Sequence, residues 1–343
     1  MTPSAETIGR LRDIVAAFPR TTVTVLGDLV ADEFLFGEIA RVSREAPVLI
    51  LKHRERSVIP GGGANAINNL ADLGVRVLPV GLVGHDEPGR LLLNEFRRKK
   101  ISLTGILQDK HFSTVTKTRI LAGTTHSPRQ QVVRVDREPT NEPAQRLLNQ
   151  LIRRARQYLK TSHALLVSDY GYGAATPSVL AAVRAANKHV IPITLDSRFR
   201  MLQFSGVTAA TPNEPEVEEA LGCRIGNDWR KVVSAGDRLM RRMKLQSLVV
   251  TRGRDGMVAF ERGERPVDIP IFGSDEVADV TGAGDTVIAT FTVALAAGAS
   301  TQEAAQLANY AGGIVVMKRG TATVTRNELL QAIMKAAPSV RKH

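Results

Sequence analysis

The segment Asp279-Val280-Thr281-Gly282-Ala283-Gly284-Asp285 runs directly into an apolar stretch, Thr286 to Ala297. Small residues let a backbone turn tightly and come close to a ligand. A helix starting at about Ala283 aims unpaired N–H groups, and the positive end of its dipole, at whatever sits above it. An anion suits that place. An aspartate at the end of such a loop would compete with the anion if it only capped the helix. It makes sense as the group that takes a proton from a hydroxyl attacking a phosphoryl group. Considered alone, the segment fits an ordinary glycine-rich turn equally well.

Outward from this segment, short β-rich runs alternate with helical patterns, the signature of a parallel sheet covered by helices. Thr22 to Leu26, Val75 to Val80, Ala164 to Val167, Val190 to Leu195 and Ser247 to Thr251 read as strands. Ala64 to Leu73, Glu87 to Lys99, Pro143 to Leu159, Ser178 to Ala186, Glu214 to Leu221 and Trp229 to Met243 read as helices. A last helix is expected over Thr301 to Lys318, with Ser300 and Glu303 forming a capping box. Two regions break the rhythm. Phe34 to Ile59 has no helix between its β-rich halves, and Val115 to Ala122 is followed by Gln131 to Val135. These predict a small β-sheet projecting from the main body, a lid or a dimer contact that would cover Phe34, Leu35 and Phe36. A hairpin packed on the edge of the core is the plainer alternative.

Polar or glycine-rich turns recur where strands end. Gly27-Asp28-Leu29-Val30-Ala31-Asp32 puts two carboxylates where open α/β sheets bind ligands. Gly61-Gly62-Gly63-Ala64-Asn65 imitates a dinucleotide fingerprint, but Pro60 precedes it and it lies outside the first βαβ unit, so a polyol contact is the better reading. Ser168-Asp169-Tyr170-Gly171-Tyr172-Gly173 and Thr251-Arg252-Gly253-Arg254-Asp255-Gly256 are similar turns. Thr211-Pro212-Asn213-Glu214-Pro215-Glu216 places Asn213 and Glu216 at a helix start, spaced to order a hydrated magnesium near phosphates. Walker A, protein-kinase and zinc-hydrolase patterns are absent.

Composition narrows the class. The single Cys223 excludes a disulfide framework and fits a reducing, cytoplasmic setting. No apolar run is long enough for a membrane span, and the N-terminus lacks a signal-type pattern. A net charge of +12 raises nucleic acid or an anionic small molecule as partner. The basic groups Arg97–Lys100, Arg153–Arg156 and Arg238–Lys244 fall on amphipathic helices as solvated faces, and 4% aromatics offers little base stacking. A small-molecule partner, with neither nucleic acid nor membrane, is expected.

These segments together resemble the ribokinase-like (PfkB-type) carbohydrate kinases from about Thr22 to Leu330. The signatures are Asp279–Thr286 and Gly61–Asn65, in order and suitably separated. The chain is most similar to the D-glycero-β-D-manno-heptose 7-phosphate kinases of the ADP-heptose pathway for lipopolysaccharide. That likeness is carried by Val42–Val48, Thr114–Arg119, Arg134-Val135-Asp136, Ser168–Gly171 and the run Asp279–Thr323. The resemblance implies a three-layer α/β sandwich with a mostly parallel sheet, one domain over residues 1–343, and a lid near 33–59 and 113–136. It implies ATP and Mg2+ as cofactors and phosphorylation of the anomeric hydroxyl to the 1,7-bisphosphate.

By matched motif it makes Asp285 the base and Gly282, Ala283 and Gly284 the anion hole. Asp32, Gly61, Gly62 and Asn65 would hold the sugar, with Asp169 at its far side. Lys117, Arg119 and Arg134 are candidates for the sugar phosphate. Asn213 and Glu216 would serve the magnesium and phosphates. Thr251, Gly253 and Asn309 would lie along the nucleotide, and the loop near Asp279 would hold a monovalent cation (K+). A homodimer through the lid is expected. Departures are Tyr172, where many relatives carry Lys, and Arg44, where Pro is frequent. The chain's end at His343 reads as the stand-alone kinase form, without a fused nucleotidyltransferase. A kinase for another sugar, a fructose phosphate or a nucleoside, and a basic binding protein without chemistry, are the alternatives.

Overall fold

Side-chain alternation along the central strands decides the layering. In strand β1 (Thr22–Gly27), Val23 and Val25 join one hydrophobic cluster while Leu26 joins another. The structure, a computed structural model, describes residues 4–123, 130–185, 190–226, 228–273, 278–318 and 320–336. Chain order continues with β2 (Leu29–Val42), β3 (Leu49–Gly62), β4 (Arg76–Gly84), β5 (Ile106–Asp109), β6 (Val115–Gly123) and β7 (Gln130–Arg137). Then come β8 (Ala164–Asp169), β9 (Ile193–Ser197), β10 (Ala209–Ala210), β11 (Ser247–Thr251), β12 (Met257–Glu261) and β13 (Val267–Ile269). Nine of these form one sheet in the order β13-β12-β11-β10-β9-β8-β1-β4-β5, parallel throughout except at β11-β12 and β12-β13.

Ten helices surround it: α1 (Ala5–Ala17), α2 (Gly63–Asp72), α3 (Glu87–Arg98), α4 (Gln145–Leu159), α5 (Pro177–Ala185), α6 (Glu214–Leu221), α7 (Trp229–Met243), α8 (Ala283–Ala296), α9 (Thr301–Val316) and α10 (Arg326–Lys335), among the described residues. One face of the sheet packs α1, α2, α3, α8, α9 and α10. The other packs α4, α5, α6 and α7. The helix α8 is buried from Asp285 to Ala294, as a helix apolar on every side must be. The expected capping box of Ser300 and Glu303 opens α9. The basic groups at 97–100, 153–156 and 238–244 lie on the outer sides of α3, α4 and α7.

The remaining strands form the projecting sheet, in the order β3-β2-β6-β7. Strand β2 leaves the core directly after β1, so its first six residues are buried and its last three exposed. Two expectations need correction. Phe34 is only 6% exposed and is covered within the monomer; the open apolar side chains are instead Val42, Val48 and Leu49 at the β2–β3 tip and Val132, Val133 and Val135 on β7. A strand does lead into the glycines at 61–63, because β3 runs to Gly62 through Pro60. It belongs to the lid, antiparallel to β2, and is not part of a dinucleotide βαβ unit. Ala186, the end of the helix expected over Ser178 to Ala186, and the basic tail Arg341–His343 lie outside the described residues.

Candidate active site

The helix α8 opens after Gly282, whose φ of 78° favours glycine. A side chain at Gly282 would also press to 2.5 Å from the Asn65 amide, whereas one at Gly284 would meet nothing within 4 Å. The backbone at Gly284 therefore faces open space at the positive end of a buried helix. Of the three residues expected to form the anion hole, Ala283 turns its N–H back to the Val280 carbonyl at 3.2 Å.

Asp285 stands one residue further on, 3% exposed. Tyr170 donates its hydroxyl to one carboxylate oxygen at 2.8 Å, and the Asn65 amide donates to the other at 3.0 Å. The same Asn65 amide reaches the Gly282 carbonyl, and Asn69 holds Asn65 in place from one turn later. Burial pushes the Asp285 carboxyl up to about 7, with the charge of Asp32 adding to the rise. The hydrogen bonds from Asn65 and Tyr170, and the charge of Lys117, work against it. A carboxylate poised near neutrality, with both oxygens oriented, is suited to taking a proton. Tyr170 went unread in the sequence. Its loop was singled out, but nothing local says that its phenol meets a helix 115 residues later.

The carboxylates of the first turn divide their work. Asp28 accepts the backbone N–H groups of Tyr170, Tyr172 and Ala174, each at 2.9 Å, and so shapes the 170–174 loop. Asp169 is saturated by Ser197, Arg200 and the Gly171 N–H, and it holds the same loop without facing open space. Asp32 is paired with Arg119 and accepts from Thr321 at 3.2 Å. Gly61 must be glycine because a side chain there would overlap the Asp32 carboxylate, and Gly62 has a φ of 53°. The amide of Asn65, the residue expected on the sugar, donates to Asp285 and to the Gly282 carbonyl. Arg134 gives both guanidinium arms to Asp136. Lys117 alone of the three phosphate candidates has no ion pair among the described residues; on β6 of the projecting sheet it is 8% exposed, with its ammonium 5.3 Å from the centre of the Tyr170 ring.

On the other side of Asp285, Asn213 and Glu216 form a reciprocal capping box at the start of α6. Burial raises the Glu216 carboxyl. Asp196, at the end of β9, is raised well above its usual range by burial and by the charges of Glu216, Asp285 and Asp169. It too was missed, although a carboxylate at a strand's carboxyl end is a readable signal. Thr251 bridges to Asn213, and Gly253 turns with a φ of 56°. Asn309 ties α9 to the Pro270 carbonyl at 2.8 Å. Asp279 accepts from Thr281 and Gly320, joining the loop before α8 to the segment after α9. No three His, Cys, Asp or Glu residues gather as a metal cluster among the described residues.

This arrangement of an oriented, near-neutral carboxylate at a glycine-flanked helix start coincides with a family match over residues 21–328. The chain belongs to the pfkB family of carbohydrate kinases. Its fold is ribokinase-like. Among solved structures, phosphofructokinase-2 from Escherichia coli in complex with substrates and products matches with a TM-score of 0.75 at 18% identity, over 92% of this chain and 99% of that one. Arabidopsis thaliana ribokinase complexed with ribose and ATP matches with a TM-score of 0.70 at 19% identity, over 91% and 98%. By sequence, the bifunctional protein HldE of Geobacter sulfurreducens is 40% identical over 311 residues, covering 90% of this chain. The HldE of Caulobacter sp. (strain K31) is 38% identical over 322 residues, covering 93%. This chain spans 62% and 64% of the lengths of those two relatives.

Proposed function

We propose that this kinase transfers the γ-phosphoryl group of ATP to the anomeric hydroxyl of D-glycero-β-D-manno-heptose 7-phosphate, giving the 1,7-bisphosphate. The observation that carries the reading is Asp285, held by Asn65 and Tyr170 with its carboxyl near 7, beside the open backbone at Gly284. Identity near 40% to the HldE proteins supports the heptose assignment. Asp285 takes the proton of the attacking hydroxyl, and Gly282 and Gly284 face the charge that develops on the transferring group. Asp32 and the Gly61–Gly62 backbone orient the sugar; Asp28 and Asp169 serve it through the loop they hold. Thr251, Gly253 and Asn309 border the nucleotide.

The crowded carboxyls of Asp196 and Glu216 fit a hydrated Mg2+, since a divalent charge offsets the repulsion that raises both. Held by Asp196 and Glu216, the ion would supply positive charge that offsets the charge of the phosphates. Asp279 has no cationic partner among the described residues and is the anchor we assign to a monovalent cation, K+. A second copy of the chain covers the exposed valines of the lid in the same reading. A phosphoryl-transfer screen with ATP across heptose 7-phosphate, fructose 6-phosphate, ribose and nucleosides tests the substrate. The heptose phosphate is expected to give the highest kcat/KM, and a substantially better rate with any of the others overturns the assignment.

A further inference from the structure

Four cations line a cavity of about 930 Å³ under the lid: Lys117, Arg134, Arg198 and Arg200. Two are already matched. Arg134 holds Asp136 with both arms at 2.8 and 2.7 Å, and Arg200 holds Asp169 at 3.0 and 2.7 Å. Arg119, two residues beyond Lys117 on β6, is committed to Asp32. Lys117 and Arg198 make no ion pair among the described residues. The Lys117 ammonium rests between two rings, 5.3 Å from the centre of Tyr170 and 6.0 Å from that of Tyr172. The exposed Arg198 guanidinium lies 5.4 Å from the Phe199 ring centre on the facing loop. Three carboxylates share the wall. Asp136 is neutralised by Arg134, Glu138 accepts from the Tyr172 hydroxyl at 2.9 Å, and Glu142 stands exposed at the rim.

A buried ammonium without a partner is costly, and a second positive charge nearby makes it more so. Burial is the main cause that lowers the Lys117 pKa; Asp32 opposes the fall, and Arg198 adds to it. The charge of Arg198 also acts on Tyr172, whose ring faces Lys117, and on the carboxyls of Asp196 and Glu216. A dianion between them would accept from the ammonium and from the planar guanidinium fork together. Lys117 also sits over the tyrosine whose hydroxyl meets Asp285, so an acceptor spanning the cavity can put one end at the base and the other at these cations.

We propose that Lys117 and Arg198 form a two-cation subsite for a phosphate that the acceptor already carries, with Arg119 and Arg134 kept out of it by their own carboxylates. The proposal rests on the sugar-phosphate reading above and goes beyond it by naming Arg198. Its test is steady-state kinetics of wild type and Arg198→Gln with heptose 7-phosphate and with the unphosphorylated heptose. Arg198 is exposed, so the variant folds; Arg198→Lys, which keeps the charge, serves as the rescue. Loss of one charge-assisted contact raises the acceptor KM roughly 10–100-fold for the phosphorylated sugar. The KM of the free sugar and that of ATP stay put, and Arg198→Lys recovers most of the loss. If wild type favours the phosphorylated sugar and Arg198→Gln favours it by the same factor, the subsite is wrong while the sugar-phosphate reading stands. A fall in kcat with the acceptor KM unchanged also overturns it, by assigning Arg198 to the transferring group. No preference in wild type removes the reading and the subsite together.

Discussion

Asp285→Asn keeps the shape of the side chain but cannot take a proton at neutral pH. A general base contributes about 10²–10⁴-fold, so kcat should fall by that factor, roughly 3–5 kcal/mol in the barrier. Stability should move the other way. The folded carboxyl titrates near 7 against 3.8 for the ordinary group, so protonation stabilises the fold. That contribution is complete below pH about 4, is lost as pH rises towards 7, and is absent above it. The melting temperature of Asp285→Asn should therefore exceed that of wild type by a margin that grows from pH 4 to 7 and then levels. A lower melting temperature with near-normal turnover would instead make Asp285 a helix cap. Tyr170→Phe removes a hydrogen bond that favours the ionised carboxylate. The acidic limb of its kcat/KM profile should shift upward by about 1–2 pH units, the equivalent of one hydrogen bond to a charge. An unshifted limb would show that Tyr170 does not tune the base.

The start of α8 offers a test at the scale of an element, because two glycines two residues apart are there for different reasons. Gly282 has a left-handed φ and abuts the Asn65 amide. Gly282→Ala should lower the melting temperature, through about 1–2 kcal/mol of backbone strain, and lower kcat by displacing Asn65 from Asp285. Gly284 faces open space in a helical conformation, so Gly284→Ala should leave the melting temperature unchanged or slightly higher. Its methyl group would stand where the phosphoryl group is proposed to lie, so kcat/KM should still drop. Paired melting and kinetic measurements separate the two, and full activity in Gly284→Ala would move the anion site elsewhere. Element reading from sequence was strongest where local chemistry is explicit. The capping box of Ser300 and Glu303 and the apolar spacing of α6, α7 and α9 were legible to within a residue or two. The helices α1 and α10, the edge strands β5 and β13, and β12 beside the latter went unread. They are short or lie at the margins, and packing on the sheet stabilises them more than their own periodicity.

At the scale of the molecule, the lid leaves Val133 and Val135 on one side of β7 at 47% and 55% exposure. If a second copy covers them, light scattering at micromolar concentration should give a dimer, and Val133→Lys/Val135→Lys should give a monomer with a raised acceptor KM. A wild-type monomer with full activity would remove the dimer. The sequence by itself determined the α/β rhythm, the projecting sheet as a break in that rhythm, and the glycine-flanked Asp285 as a candidate for the chemistry. Each of these is written in consecutive residues, through periodicity of two or 3.6 and through turn chemistry. The division of labour among charges was decided only by tertiary structure. Arg119 looks as free as Lys117 in the sequence, but the register of β6 against β2 sets Asp32 beside it, whereas Arg134 meets Asp136 two residues along its own strand. Tyr170, Asn65 and Asp285 come from three distant segments and meet because β3, β8 and the loop before α8 end on one side of the sheet. Which polar groups are satisfied by the protein, and which are left for a ligand, depends on such meetings between distant segments, and no local pattern encodes them.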